Sequence, residues 1–328
     1  MNQTLPSPLL LTGAAGFIGS AFARSCNQKG IPLISVDSLS HFQDRPEHQN
    51  IDFGTLIDRD ELFEKLPHLA FSAIVHLGAC ASTLEMNEAF LHRVNVEYSQ
   101  KLWTFAAEKK LPMIYASSAA TYGNGDQGYK DDETRLADLK PLNPYGRSKW
   151  LFDVWALEEE KKGQHPPTWG GFKFFNVYGF GERHKKNMAS VVLHSFDQIL
   201  STSGMKLFKS HKQGIADGHQ SRDFIYVGDV VNVLHFALSH PIRRGIFNLG
   251  SGKARPFLDL VRTVFQTLGK PEKIEFIDTP ISIRDKYQYF TEASMDRLRS
   301  EGYTLPFTSL EEGVAVYVNQ LQDQETSS

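Results

Sequence analysis

Pro8-Leu9-Leu10-Leu11-Thr12-Gly13-Ala14-Ala15-Gly16-Phe17-Ile18-Gly19 is the stretch on which the fold turns. Its leucines have the near-continuous apolar character of a strand buried on both faces in a parallel sheet. The glycines that follow are spaced GxxGxxG, a variant of the dinucleotide fingerprint. Small residues there let backbone approach a pyrophosphate, whose charge is favoured at the positive end of the helix that follows. Gly19 lets that helix pack closely on the sheet. Glycines also mark ordinary turns, so the motif draws its weight from the strand before it and the helix after.

Outward from this stretch, short apolar runs alternate with helical patterns. Residues 8–12, 31–36, 71–76, 112–117 and 171–175 read as strands, and 16–29, 89–109 and 145–161 as helices. Such alternation implies βαβ units and a parallel sheet. In the second half, 187–200, 229–240, 256–268 and 310–322 read as helices, 245–249 as a strand returning to the main sheet, and 273–277 as another strand. The predicted fold is α/β, a Rossmann-type doubly wound parallel sheet with a smaller mixed α/β substrate domain. Residues 1–175, with 223–251 returning, make the dinucleotide-binding domain; 176–222 and 252–328 make mainly the substrate domain. Residues 211–220 are predicted to form an exposed loop.

The chain has 328 residues, 41% apolar and 22% charged, enough for a buried core and globular in balance. A net charge of −3 without a basic stripe excludes a nucleic-acid partner. Cys26 and Cys80 form no CxxC pair and are predicted to be free thiols in a reducing compartment. The apolar stretch 9–23 lacks a positive flank, since no Lys or Arg precedes Arg24, so it is not read as a signal peptide. No run is long and apolar enough to span a bilayer. The expected location is the cytoplasm, with no membrane partner and no metal.

Asp37 closes the second strand eighteen residues beyond Gly19, where an acidic side chain can bind the adenosine ribose. That favours NAD. Arg45 and Arg59 are cations able to hold the 2′-phosphate of NADP instead, or merely solvated surface charges. Leu77, Gly78 and Ala79 follow the third strand at its carboxyl end, where ligands bind in open α/β sheets. Asn95 lies on the next helix.

Ser118 ends the fourth strand, and Tyr145 and Lys149 follow 27 residues later in Tyr145-Gly146-Arg147-Ser148-Lys149. Four residues apart, Tyr145 and Lys149 share a helix face. A free phenol, with a pKa of about 10, is a poor base at neutral pH. A neighbouring ammonium should favour the phenolate. The same lysine can bond a nicotinamide ribose, and Ser118 can orient the reacting oxygen.

These residues, with 115–123 (YASSAATYG), 175–179 (FNVYG), His184-Lys185, Met188-Ala189-Ser190, Arg222-Asp223-Phe224, Val227-Gly228-Asp229 and Phe247-Asn248-Leu249-Gly250, resemble the extended short-chain dehydrogenase/reductases. Within them the chain is similar to the ADP-L-glycero-D-manno-heptose 6-epimerase family, from residue 13 to about residue 310. The resemblance implies transient oxidation at carbon 6 of an ADP-linked heptose and reduction on the other face, with the cofactor retained. NADP is the expected cofactor and NAD the alternative. Partners implied are the ADP-heptose nucleotide sugar and further copies of the chain, as a homo-oligomer, in bacterial lipopolysaccharide core synthesis.

The resemblance also implies site residues. Tyr145 and Lys185 are the two acid/base groups, with Ser118 and Lys149 completing the catalytic set. Cofactor contacts are Gly13, Gly16, Phe17, Ile18, Gly19, Asp37, Ser38, Arg45, Arg59, Leu77, Gly78, Ala79, Asn95, Tyr145, Lys149, Val177 and Lys185. Substrate contacts are Ser118, Asn176, Asn187, His194, Phe208, Lys209, Ser210, His211, Arg222, which is to fork onto the diphosphate, and Tyr287. Adjacent cations Arg183 and Lys186 would help Lys185 lose its proton. Asp229 is expected to support structure by capping its helix. The chain departs from the family pattern at Leu77, usually glutamate, at Ser38, usually asparagine, at Arg45 and Arg59, and in a longer 211–220 loop. The rival readings are another sugar-nucleotide enzyme, a 4-epimerase or 4,6-dehydratase, and a non-catalytic NAD(P)-binding regulator. A 4,6-dehydratase would need acid and base groups where this chain has Ala119 and Ala120, and a 4-epimerase would leave Lys185 idle. A non-catalytic regulator would have a broken triad, whereas Ser118, Tyr145 and Lys149 are intact.

Overall fold

The leucine strand Leu9–Thr12 (β1) is buried along its whole length, which its apolar side chains require on both faces. In the computed structural model, which describes residues 7–43, 45–240, 242–284 and 288–326, the 13–19 turn leads from β1 into Phe17–Gln28 (α1). Leu33–Asp37 (β2) and Thr55–Asp58 (β3) follow. Next come Ala73–His76 (β4), Tyr98–Lys109 (α2), Met113–Ser118 (β5), Pro144–Lys161 (α3) and Trp169–Phe174 (β6). The remainder comprises Asn176–Tyr178 (β7), Val191–Thr202 (α4), Met205–Phe208 (β8), Ser221–Tyr226 (β9), Val227–Ser239 (α5) and Gly245–Leu249 (β10). It ends with Ala254–Pro256 (β11), Phe257–Thr267 (α6), Ile274–Ile277 (β12) and Leu310–Thr326 (α7).

Seven strands form one sheet in the order β10-β6-β5-β4-β1-β2-β3, every pair parallel. The chain winds outward from β1 to β3, then crosses back to place β4 on the other side of β1. That reversal opens a crevice at the carboxyl ends of β1 and β4, where such sheets bind ligands. β11-β9-β7 and the parallel pair β12-β8 make two small sheets beyond it. Among the described residues no helix is long and apolar enough to cross a membrane.

Two hydrophobic cores result. One surrounds the large sheet and includes Leu10, Phe22, Ile74, Trp103, Phe152 and Phe247. The other joins α4, α6 and α7 through Phe196, Val261, Phe265 and Tyr317. β9 belongs to both. Phe224 enters the second core and Ile225 the first, because successive strand residues point to opposite faces. Late in the chain, Ala293, Met295, Leu298 and Tyr303 return to the first core.

Four local readings of the sequence are corrected. β3 had not been read as a strand. It lies at the sheet edge with Thr55 and Leu56 exposed, so it lacks a buried strand's apolar run. Residues 89–109 are not one α-helix; Glu88–Leu91 passes into a π-helical turn at His92–Glu97 before α2. Residues 187–200 divide into the end of a 3-10 segment, Arg183–Met188, kinked within at Lys186 (φ 50°), and α4. Asp229 does not cap its own helix; its carboxylate accepts from the Thr308 N–H at 2.8 Å and the Thr308 hydroxyl at 3.0 Å, tying α5 to the approach to α7.

Candidate active site

The turn after β1 is backbone packed on backbone. Gly13 has φ 69°, and a Cβ on it would lie 2.6 Å from the Gly78 nitrogen. A Cβ on Gly19 would lie 2.0 Å from the Gly13 carbonyl oxygen. No side chain caps α1 at Gly16, which leaves its first turn open to an anion. This cradle fits a dinucleotide pyrophosphate. Gly78, after β4, donates its N–H to Thr12 Oγ1 at 3.2 Å. Thr12 Oγ1 meets His76 Nδ1 at 2.6 Å, and His76 Nε2 meets Ser99 Oγ at 2.8 Å. Burial, aided by the Lys149 charge, holds this imidazole down to about 3, so it stays neutral. A neutral ring can accept from Thr12 and donate to Ser99 at once.

The π-helical turn puts Asn95 inside. Its amide accepts from the Cys80 N–H at 2.8 Å and donates to the Cys80 carbonyl at 3.0 Å and to Ser148 Oγ at 2.9 Å. Asn95 thus pins the loop carrying Leu77, Gly78 and Ala79 to α3. Π-turns recur at functional sites because they re-aim one residue within a helix.

On the ribose side, Asp37 ends β2. Oδ2 accepts from the Ala15 N–H at 3.2 Å; Oδ1 accepts from the Ser38 N–H at 2.8 Å and meets His41 Nδ1 at 2.9 Å. Arg45 donates to the Ala15 carbonyl. The Arg59 side chain instead faces Asp60 at 3.8 Å and is exposed. His41 carried no obvious signal in the sequence.

Ser118, Tyr145 and Lys149 come together at the carboxyl end of β5. Asn143 caps α3 by accepting from the Gly146 N–H at 2.7 Å, with Pro144 in the first turn. This fixes where Tyr145 starts on the helix. Burial raises the Tyr145 phenol above its ordinary value, and a hydrogen bond with the Ser118 side chain works against that rise. The phenol therefore lies above its ordinary value rather than below it, contrary to the expected lowering by Lys149. The Lys149 ammonium donates to the Ala116 carbonyl at 2.9 Å, and burial lowers it to about 8.

Beneath this pair lies a charge that sequence reasoning missed. Asp153, fully buried one turn beyond Lys149, accepts from Lys173 Nζ at 2.6 Å, Ser117 Oγ at 2.7 Å and the Tyr115 hydroxyl at 3.1 Å. Its charge opposes the fall at Lys149. Lys173, also buried, donates to Thr121 Oγ1 at 2.7 Å. Its presence in the otherwise apolar strand 169–175 was the available signal.

Lys185 lies in the 3-10 segment Arg183–Met188. Its ammonium sits 5.0 Å from the centre of the Phe17 ring, at the first residue of α1, and donates to Glu182 Oε2 at 3.2 Å. The adjacent Arg183 does not turn to it as expected. Arg183 turns to Asp197 at 3.0 Å and towards Glu325 at 3.9 Å, where carboxylates outcompete a like charge. His184 Nδ1 meets the buried Glu47 at 3.4 Å, and Thr83 donates to the Met188 sulfur at 3.7 Å. The segment is thus tied to the cofactor side at three points.

The predicted substrate residues are less closely gathered. Asn176, Asn187, His194 and His211 are exposed, and Val177, Phe208, Lys209 and Ser210 half-buried. Ser210 donates its N–H to Asp217 at 2.7 Å, and the His211 N–H donates to the Tyr289 hydroxyl at 3.1 Å. Arg222 is buried over the Phe257 ring and donates to the Ser221 carbonyl at 2.9 Å and to the Gln288 carbonyl. Gln288 in turn donates to the Gly123 carbonyl, joining this region to the turn after Ser118. Tyr287 lies outside the described residues.

Residues 9–250 match the profile of the NAD dependent epimerase/dehydratase family. The chain is 43% identical to the ADP-L-glycero-D-manno-heptose-6-epimerase of Fusobacterium nucleatum subsp. nucleatum, over 97% of this chain and 99% of that one. A protein of the same description from Nitratidesulfovibrio vulgaris is 43% identical over 95% and 97% of the two chains. Among solved structures, the Helicobacter pylori ADP-L-glycero-D-manno-heptose-6-epimerase gives a TM-score of 0.81 at 26% identity, covering 97% of each chain.

Proposed function

The chain belongs to the NAD dependent epimerase/dehydratase family, and on that footing we propose that it inverts carbon 6 of ADP-D-glycero-D-manno-heptose to give ADP-L-glycero-D-manno-heptose, for the core heptose of lipopolysaccharide. A bound nicotinamide supplies reversible oxidation at that carbon. Tyr145 takes the proton from the carbon 6 hydroxyl, Ser118 orients that oxygen, and Lys149 keeps the ribose and phenol in place. Lys185 serves the ketone oxygen during reduction on the opposite face. Carbon 6 lies outside the pyranose ring, so rotation about the adjacent carbon–carbon bond presents either face without turning the sugar over.

The observation that carries this reading is Lys185 standing on Phe17 at the mouth of α1. It supports a second proton-transfer group at the cofactor end, which inversion uses and a single-tyrosine 4-epimerase does not. Arg222, released from its carbonyl partners, would fork onto the diphosphate; Asn176, Val177, Asn187, His194, Phe208, Lys209, Ser210, His211 and Tyr287 would line the sugar and nucleotide. Arg45, with His41 beside Asp37, supports NADP over NAD. The test is incubation of purified protein with ADP-D-glycero-D-manno-heptose, read by NMR. Inversion at carbon 6, with UDP-glucose unchanged, is expected. Inversion of UDP-glucose at carbon 4 with the heptose untouched would overturn the proposal.

A further inference from the structure

Glu182 is a carboxylate with no solvent exposure whose partners converge on one lysine and one helix start. Oε2 accepts from Lys185 Nζ at 3.2 Å and from the Ser190 N–H at 2.8 Å, and Oε1 accepts from the Ser190 hydroxyl. Ser190 is the N-cap of α4. The Lys185 N–H donates to the Glu182 carbonyl at 2.9 Å, so the two residues are joined through backbone as well as side chain. Just beyond, Lys186 is held at φ 50° and ψ −122°, a conformation L-residues adopt only where surrounding contacts enforce it. A buried carboxylate needs a compensating cation or several donors, and here one of those donors is the ammonium read as the second acid/base group.

We propose that Glu182 is the positioning residue for Lys185, holding it against Phe17 as an ammonium so that it enters each cycle as the proton donor. This rests on the reading of Lys185 as an acid/base group. As carbon 6 is reduced, a Lys185 N–H bond breaks and the proton goes to the ketone oxygen, making the new hydroxyl. The neutral amine regains a proton from water across the 28% of its side chain that remains exposed. The proton taken up by Tyr145 leaves to solvent, so protons balance over one turnover. The other charged or titratable groups facing the pair are Arg183, His184 and Lys186 of the same segment, Glu47 through His184, Asp197 of α4, and Tyr317 and Glu325 of α7. Burial beside Glu182 raises the Tyr317 phenol, so it stays neutral.

The test compares wild type, Glu182→Gln, Glu182→Asp, Ser190→Ala and Lys185→Met as full-chain enzyme with its cofactor. Losing a nearby negative charge makes an ammonium easier to deprotonate, so the alkaline limb of kcat should move to lower pH in Glu182→Gln. It should move less in Glu182→Asp, which keeps the charge on a shorter arm. Ser190→Ala, which removes the cap and one donor to Glu182 but keeps the carboxylate's charge, should move the limb far less than Glu182→Gln. The pH at which Lys185 begins to react with acetic anhydride, read by peptide mass spectrometry, should move in parallel and needs no turnover. A lower kcat with both readouts unmoved in Glu182→Gln and Glu182→Asp would make Glu182 merely structural and overturn the inference. Lys185→Met with wild-type epimerisation would overturn the acid/base reading beneath it.

Discussion

Tyr145 and Lys185 are assigned similar chemistry on unlike supports. Tyr145 stands in the first turn of an eighteen-residue helix, capped by Asn143 and backed by Lys149 and buried Asp153 at four-residue intervals. Lys185 stands in a six-residue 3-10 segment with a left-handed residue beside it, held by one carboxylate and one aromatic face. A proton transfer made against a fixed face of the sugar suits the rigid support. A group that must meet the oxygen after the sugar has rotated suits a support tied at a few points.

The largest effect should come from the rigid side. Tyr145→Phe is expected to lower kcat by about two to four orders of magnitude, the range for a lost general acid/base group, with cofactor still bound; near-wild-type turnover in a coupled assay would remove the phenol from the mechanism. Arg45→Ala should weaken NADP about tenfold while changing NAD little, as a lost charged contact to a phosphate does. Equal changes for both, by fluorescence titration, would leave Arg45 as a brace for the Ala15 carbonyl alone. The smallest effect is on stability. Burial lowers Lys149 from an ordinary 10.5 to about 8. Between those values the unfolded chain binds more protons than the folded one, so this lysine's contribution to stability rises with pH. The stability difference between Lys149→Met and wild type should therefore move in favour of wild type from pH 7.5 to pH 10 in urea titrations. A difference independent of pH would mean that the lysine is not buried as a charge.

The two supports also differ in how far they could be read from sequence. GxxGxxG, the strand-end Ser118 and the Tyr145–Lys149 spacing are periodic features of regular elements, so local rules place them. Lys185 obeys no period and was placed by resemblance alone. Glu182, Asp153 and Lys173 were missed because a charged residue is ordinarily exposed, and burial becomes legible only when its partner from another element is seen. Asn95 fell on a helix as read, but the π-turn that turns it inward leaves no mark in the apolar pattern. β3 was missed for the opposite reason, since an edge strand keeps exposed residues. Arg222 was expected to present an open fork, yet backbone carbonyls of Ser221 and Gln288 engage it, contacts set by tertiary position.

Every role assigned to these groups depends on carbon 6 losing and regaining the same hydrogen within one closed site. Epimerisation in deuterium oxide, followed by mass spectrometry and NMR of the product, tests this directly. The account predicts inverted product with protium retained at carbon 6; deuterium at that carbon would mean exchange with solvent and would contradict it.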